Sequence, residues 1–472
     1  MSTKIKTIKT VVYTLLFIIT LPTYAQLRLP KHFSNDMVLQ RESDVSIWGW
    51  ANATTEIKIK ASWHPDTIKI TANGEGKWVT KIPTTIAGGP HNLLIKTKSE
   101  TIQLNNILLG DVFLCSGQSN MEWGGNQNLK EIIDELPYAS NPNIRLLQIS
   151  RYAANTPQED TNNQWTVLNE KTLKPFSAIG YFIAKKLNKE IGVPIGIINA
   201  SWGGTAAEVW TPREVFDQDE ELKSYADQLV TTPYWPTSTG ALWNSMLAPL
   251  AQFNIKAAFW YQGESNVGTW KGYDKLMQQM IKSWRKAWEQ DFPFYFVQIA
   301  PFTYNNTDVP KAALLREQQS KTALALPKVG MTVTTDLVDD IKDIHPVQKQ
   351  AVANRLSDLA LVELYNVSIQ DYKSPIYKSH KIQDHKIDID FYYTQGNLTC
   401  PDKNISDIFI AGEDQVFHPA KATITGRTIS VSSTAVKKPL AVRFGFSETA
   451  MPNLFNAQGL PVSPFRTDNW KD

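Results

Sequence analysis

Between residues 106 and 366, short apolar runs alternate with stretches of helical periodicity, and this alternation restricts the fold more than any other feature. The runs at 111–115, 143–149, 194–200, 255–262, 293–299 and 329–335 have the length and composition of buried strands. The clearest helical stretch places Tyr273, Leu276, Met277, Met280, Ile281, Trp284 and Trp288 on one face. Residues 177–191 and 347–365 show the same pattern. A parallel neighbour can be reached only through a long crossover, which a helix supplies. The region is therefore predicted to be an α/β domain with a helix-covered parallel sheet.

The flanks read differently. From 26 to 105, short stretches such as Glu56-Ile57-Lys58-Ile59-Lys60 alternate apolar with polar, separated by turn signals such as Asn73-Gly74 and Gly88-Gly89-Pro90. Strands at intervals of about ten residues predict a β-sandwich segment. Residues 367–472 return to this texture, with 386–391, 424–431 and 441–446 each read as one run. Ahead of the first flank, Lys4, Lys6 and Lys9 precede an apolar stretch at 11–21 and then Thr23-Tyr24-Ala25. That order predicts a cleaved signal peptide over 1–25, with a mature protein in the periplasm or outside the cell. The apolar stretch is too short to span a bilayer, so no membrane insertion is expected.

With 48 basic and 46 acidic residues, the chain carries no surplus charge to hold a nucleic acid. Export would permit a disulfide between its two cysteines, Cys115 and Cys400, but Cys115 falls in a predicted buried strand and two separate buried thiols are expected. No cysteine–histidine spacing suggests a metal, and no metal or other cofactor is expected. The oligomeric state is not legible.

Chemistry concentrates where the predicted strands end. The first closes in Ser116-Gly117-Gln118-Ser119-Asn120-Met121. Reacting groups in α/β proteins sit past the carboxyl ends of parallel strands, and a serine there needs a base to take its proton. Of seven histidines, only His345 falls inside 106–366, in Asp343-Ile344-His345-Pro346 after the last strand. Asp343 is the nearest acid, and Glu264, past another strand, is its rival. Asn199-Ala200-Ser201-Trp202-Gly203-Gly204-Thr205 and Trp260-Tyr261-Gln262-Gly263-Glu264-Ser265-Asn266 offer backbone and side-chain amides to a developing oxyanion.

Taken in order, the blocks at 117–121, 203–205, 261–266 and 343–346 resemble the signature of the SGNH-type hydrolases, in the branch of sialate O-acetylesterases and related carbohydrate acetylesterases. Asn35-Asp36-Met37-Val38-Leu39-Gln40-Arg41 and residues 107–112 are similar to that family's N-terminal β region. The resemblance implies a three-layer α/β/α esterase domain flanked by β-sandwich elements. It implies Ser119 as nucleophile, His345 as base, and the N–H groups of Ser119 and Gly204 as oxyanion donors. The superfamily's third donor is an asparagine; here Gln262 is preferred over Asn266. The family acid usually stands three residues before the histidine, where this chain has Lys342, so Asp343 and Glu264 both stay open.

The implied activity is removal of O-acetyl groups from a carbohydrate, most directly sialic acid, through an acyl-enzyme. An acetylxylan or other polysaccharide acetylesterase is the alternative, and a carbohydrate-binding protein without catalysis is the alternative outside enzymes. Gln118, Asn120, Asn266 and Arg213 are candidate substrate contacts, with specificity expected in the loops at 123–128, 210–214, 233–240 and 303–310.

Overall fold

A computed structural model describes residues 26–304 and 309–470. The expected signal peptide and part of the 303–310 loop lie outside the described residues. At the centre are six parallel strands: β1 (Thr101–Gly117), β2 (Asn141–Gln148), β3 (Ile195–Ser201), β4 (Ala257–Tyr261), β5 (Phe294–Val297) and β6 (Val329–Thr332). They lie in the order β6-β5-β4-β1-β3-β2, and Thr166–Leu168 adds an antiparallel edge beside β2. All six correspond to the apolar runs read from the sequence.

The strands are buried on both faces because successive side chains point to opposite sides. Phe113, Cys115, Ile197, Phe259 and Val297 pack with helices α2 (Ala178–Ile191) and α5 (Lys349–Tyr365). Val112, Leu114, Ile198, Trp260 and Phe296 pack on the other face with α3 (Tyr273–Ala287) and α4 (Lys311–Ala325). The result is the expected α/β/α sandwich. Within it the chain leaves β1 toward β2 and β3, then crosses to β4 on β1's other side. The strand order therefore reverses around β1, which opens a crevice at its carboxyl end.

β1 is 17 residues long and crosses the expected boundary at 105/106 without interruption. Its first part pairs with Gly88–Lys96 and Val38–Gln40 of the N-terminal β segment; its second part is the centre of the parallel sheet. The hinge of this arrangement is Asp111, which is fully buried. It accepts hydrogen bonds from Gln40 Nε2 (2.8 Å), Arg41 Nε and Nη2 (both 3.1 Å) and Tyr365 Oη (2.8 Å).

The C-terminal segment has its own core. One antiparallel sheet contains Ile376–Gln383, Lys386–Tyr392, Thr428–Ser432 and Lys421–Thr425; the other contains Ile408–Ala411 and Ala441–Phe444. Ile389, Ile429, Ile410, Val442 and Phe444 fill the space between them. The run at 424–431, read as one strand, is instead a hairpin. Gly426 takes φ +64°, a left-handed conformation open to glycine, and reverses the chain. Cys115 and Cys400 are both free thiols; Cys115 is buried as expected, whereas Cys400 is only partly buried.

Candidate active site

Ser119 stands where it does because Gly117 precedes it. Gly117 has φ +133°, and a β-carbon there would lie 2.2 Å from the Tyr261 carbonyl oxygen. Gln118 N–H donates to that same oxygen (3.0 Å), so β1 and β4 touch through backbone at this point. The chain then turns into the single-turn helix α1 (Ser119–Glu122), with Ser119 as its first residue at the mouth of the crevice.

The loop after β6 brings His345 to the same place. Its Nε2 lies 2.9 Å from Ser119 Oγ. The imidazole stacks on the Trp123 ring, centroids 3.7 Å apart and planes 19° apart, which fixes the ring's plane. Asp343 accepts the His345 backbone N–H (2.9 Å), and its Oδ1 lies 3.6 Å from Nδ1, beyond a direct hydrogen bond. The Asp343 side chain is 54% exposed.

Burial, and next the nearby Lys349 ammonium, pull the His345 pKa down to about 4, against the weaker opposing pull of Asp343. The imidazole is therefore neutral, the form that accepts a proton, well below the usual histidine range. Protonation as pH falls removes that form. Any activity that uses His345 as its base is thus expected to hold its kcat/KM through pH 6.5 and to decline only as pH approaches about 4. An acid limb centred at the ordinary histidine value would contradict this electrostatic account.

The glycine loop after β3 abuts the serine. A β-carbon on Gly203 would lie 3.2 Å from Ser119 Cβ. The Gly203 N–H is not available to a ligand, since it donates to Glu122 Oε2 (2.7 Å). Glu122 also faces Arg151 at 3.4 Å. Gly204 takes φ +79°, and a β-carbon there would strike the Trp235 ring at 2.4 Å. The N–H groups of Ser119 and Gly204 have no hydrogen-bond partner among the described residues.

The other residues singled out from the sequence are placed as follows. Glu264 is not brought to His345: its Oε1 accepts from Asn120 Nδ2 (2.6 Å), and its Oε2 is buried without a partner. Gln262 is fully buried, and both its amide hydrogens are donated, to Thr205 O (3.2 Å) and Asn266 Oδ1 (2.7 Å). Asn266 in turn donates to both Glu208 carboxylate oxygens (3.0 and 2.8 Å). The buried Glu208 thus recruits Asn266, and Asn266 recruits Gln262. Either amide could serve an oxyanion only by giving up one of these bonds.

Asn120 is buried, with its amide also committed internally. Gln118 differs. Its Oε1 accepts from Gly263 and Ser265 N–H (both 3.3 Å), while its Nε2 has no partner among the described residues. Arg213 opens the helix Arg213–Asp217 and lines a recess of about 330 Å³ with Asp227 and Thr237. Ser119, His345 and Gly204 do not line that recess. Trp235 comes from the 233–240 loop expected to set specificity, whereas sequence reasoning missed Glu122 and Lys349 as parts of this site. Glu122 had a signal, three residues after the serine on the same turn; Lys349 looks like any lysine near a helix start.

Comparison with known proteins bears on the family and the fold. The family model for carbohydrate esterases of the sialic acid-specific acetylesterase type matches residues 109–359. A sialate O-acetylesterase of Pongo abelii is 26% identical, over 93% of this chain and 92% of that protein. The Homo sapiens sialate O-acetylesterase is 28% identical, over 81% and 79%. The crystal structure of a carbohydrate acetylesterase from Xanthomonas citri superposes with a TM-score of 0.86 at 34% identity, over 94% of this chain and all of that one. The signature blocks, the parallel sheet and these matches together establish that the chain belongs to the sialic acid-specific acetylesterase family of carbohydrate esterases and is a carboxylic ester hydrolase.

Proposed function

We propose that the protein removes O-acetyl groups from sialic acid by a serine acyl-enzyme mechanism. The observation that carries the mechanism is the 2.9 Å approach of Ser119 Oγ to a neutral His345 Nε2, beside two unpartnered N–H groups. His345 takes the hydroxyl proton as Oγ bonds to the acetyl carbonyl carbon. The negative charge that moves to the carbonyl oxygen is met by the N–H groups of Ser119 and Gly204. The bond to the sugar oxygen then breaks, and that oxygen receives the proton from His345. Water attacks the acetyl-serine, giving its proton to His345; Ser119 leaves protonated and acetate is released.

Asp343 acts on this cycle mainly by holding the loop, since its oxygen is too far from Nδ1 for a direct bond. Gln118 is buried beside Ser119, and its Nε2, without a partner among the described residues, is assigned to the substrate. The family model and the relatives support sialate over other acetylated sugars. The leader-like features of residues 1–25 support export to the periplasm or the extracellular space.

Acetate release from 9-O-acetylated sialic acid, measured beside acetylated xylan, tests the reading. The expected result is faster release from the sialate. Preferential release from xylan assigns the site to a polysaccharide, and release from neither overturns the carbohydrate esterase reading.

A further inference from the structure

Beside the Ser119–His345 pair, the chain buries two opposite charges around one amide. Lys349, at the start of α5, is 1% exposed, and its Nζ donates to Asn120 Oδ1 (2.6 Å). Asn120 Nδ2 gives one hydrogen to Glu264 Oε1 (2.6 Å) and the other to Ile344 O (3.0 Å). A primary amide between an ammonium and a carboxylate has one good orientation. Flipped, its NH2 would face the ammonium and its carbonyl the carboxylate, with no hydrogen bond on either side. With the first hydrogen fixed on Glu264, the second points at the carbonyl immediately before His345. The residue after the nucleophile thus grips the loop of the base.

Buried ion pairs are poor sources of stability, because both charges are taken out of water. The acyl-enzyme cycle uses none of these three side chains. Asp343, the acid nearest His345, is half-exposed and beyond bonding distance of Nδ1. Asp343 holds its own loop through the His345 backbone N–H, but it does not tie that loop to the turn that carries Ser119. Resting on the Ser119–His345 reading above, we propose that Lys349, Asn120 and Glu264 are a positioning unit. It clamps the His345 loop to the nucleophile's turn, and Lys349 sets the field at the imidazole.

The charged groups around His345 are few. Lys349 faces it from α5 and Asp343 from its own loop. Glu264, after β4, and Glu131, in the helix Lys130–Glu135, face Lys349, and Glu131 also accepts the Gln350 N–H (2.9 Å). Lys349 is the cation among these, and it helps keep His345 neutral. Burial pulls its own pKa down to about 7, so it is charged throughout the acid range where His345 titrates.

The test compares full-length Lys349→Met, Lys349→Met with Glu264→Gln (which leaves no unpaired buried charge) and Asn120→Ser, using 4-nitrophenyl acetate. In Asn120→Ser, kcat is expected to fall about tenfold or more with KM within about threefold, the split that marks loss of transition-state geometry. In both Lys349 variants the acid limb of kcat/KM is expected to move to higher pH, by about half a unit or more. A merely structural role would not move that limb.

Folded variants with wild-type kcat and an unmoved acid limb overturn the proposal. So does failure of all three to fold, which would make the cluster a requirement of the fold instead. Ser119→Ala, run in parallel, separates the two readings. If that variant keeps its activity, the nucleophile reading fails; if it is inactive while the cluster variants are silent, only the positioning unit fails.

Discussion

Ser119→Ala is expected to lower kcat/KM on a simple acetyl ester by about four to six orders of magnitude, with the unfolding transition unchanged. The loss is large because no other side chain replaces the attacking atom. His345 Nε2 makes its recorded hydrogen bond to Ser119 Oγ. With alanine there, the imidazole can at best activate water, without the covalent intermediate. Whatever rate is left would come from the N–H groups of residues 119 and 204, which still polarise a bound carbonyl. The fold loses little, because the removed hydroxyl lies at the crevice mouth and its neighbours are held independently. The imidazole stays stacked on Trp123, and Gly203 stays bonded to Glu122. Initial rates, a search for an acetyl-enzyme burst and circular dichroism on the same preparation check this. A well-folded Ser119→Ala protein within about tenfold of wild type would remove Ser119 from the chemistry.

The same residues show why part of the site could be read before any coordinates. Ser119, Gly204, Gln262 and His345 each follow an apolar run, and parallel strands present such positions at one end of a sheet. The sequence therefore carries their neighbourhood. It does not carry the count of hydrogens on an amide. From the sequence Gln262 is preferred to Asn266 as a third oxyanion donor, and only the buried Glu208 shows how both amides are engaged. Glu264 looked like a rival acid because it too follows a strand; which way it points depends on Asn120, 144 positions away.

Lys349 was invisible for a simpler reason. A lysine at a helix start reads as solvated, and its burial depends on α5 lying over the turns after β1 and β4. In the fold, the alternating strands and helices were legible as period and length. Two features were not. β1 runs from the N-terminal β segment into the parallel sheet because pairing partners, not composition, decide where a strand ends. The turn at Gly426 hides in a run whose apolar alternation continues on both sides.

Asp111→Ala is expected to cost about 3–5 kcal/mol of stability, the largest loss of stability of any single substitution considered. The carboxylate is fully buried and has four hydrogen-bond contacts, two of them from the Arg41 guanidinium, one to each oxygen. Removing it takes the carboxylate from four donor groups on three residues at once. Arg41 keeps a charge in a largely buried position, 20% exposed, with only the surface carboxylate of Glu42 left beside it. Gln40 Nε2 is left with a 3.4 Å contact to Arg41 O, and Tyr365 Oη with no hydrogen-bond partner among the described residues.

The three residues come from different places: the Val38–Gln40 strand, the residue after it, and the last residue of α5. The loss therefore falls on the joint between the N-terminal β segment and the parallel sheet. An exposed pair supplies the contrast. Glu56 and Lys58 sit 3.3 Å apart with side chains more than half exposed, and Glu56→Ala is expected to cost less than about 0.5 kcal/mol. Denaturant midpoints for both variants, taken at equal slope, measure the difference. An Asp111→Ala midpoint shift no larger than that of Glu56→Ala would mean that water replaces the carboxylate at the joint. Arg41 would then have to be reaching solvent there, and the continuity of β1 would alone hold the two sheets together.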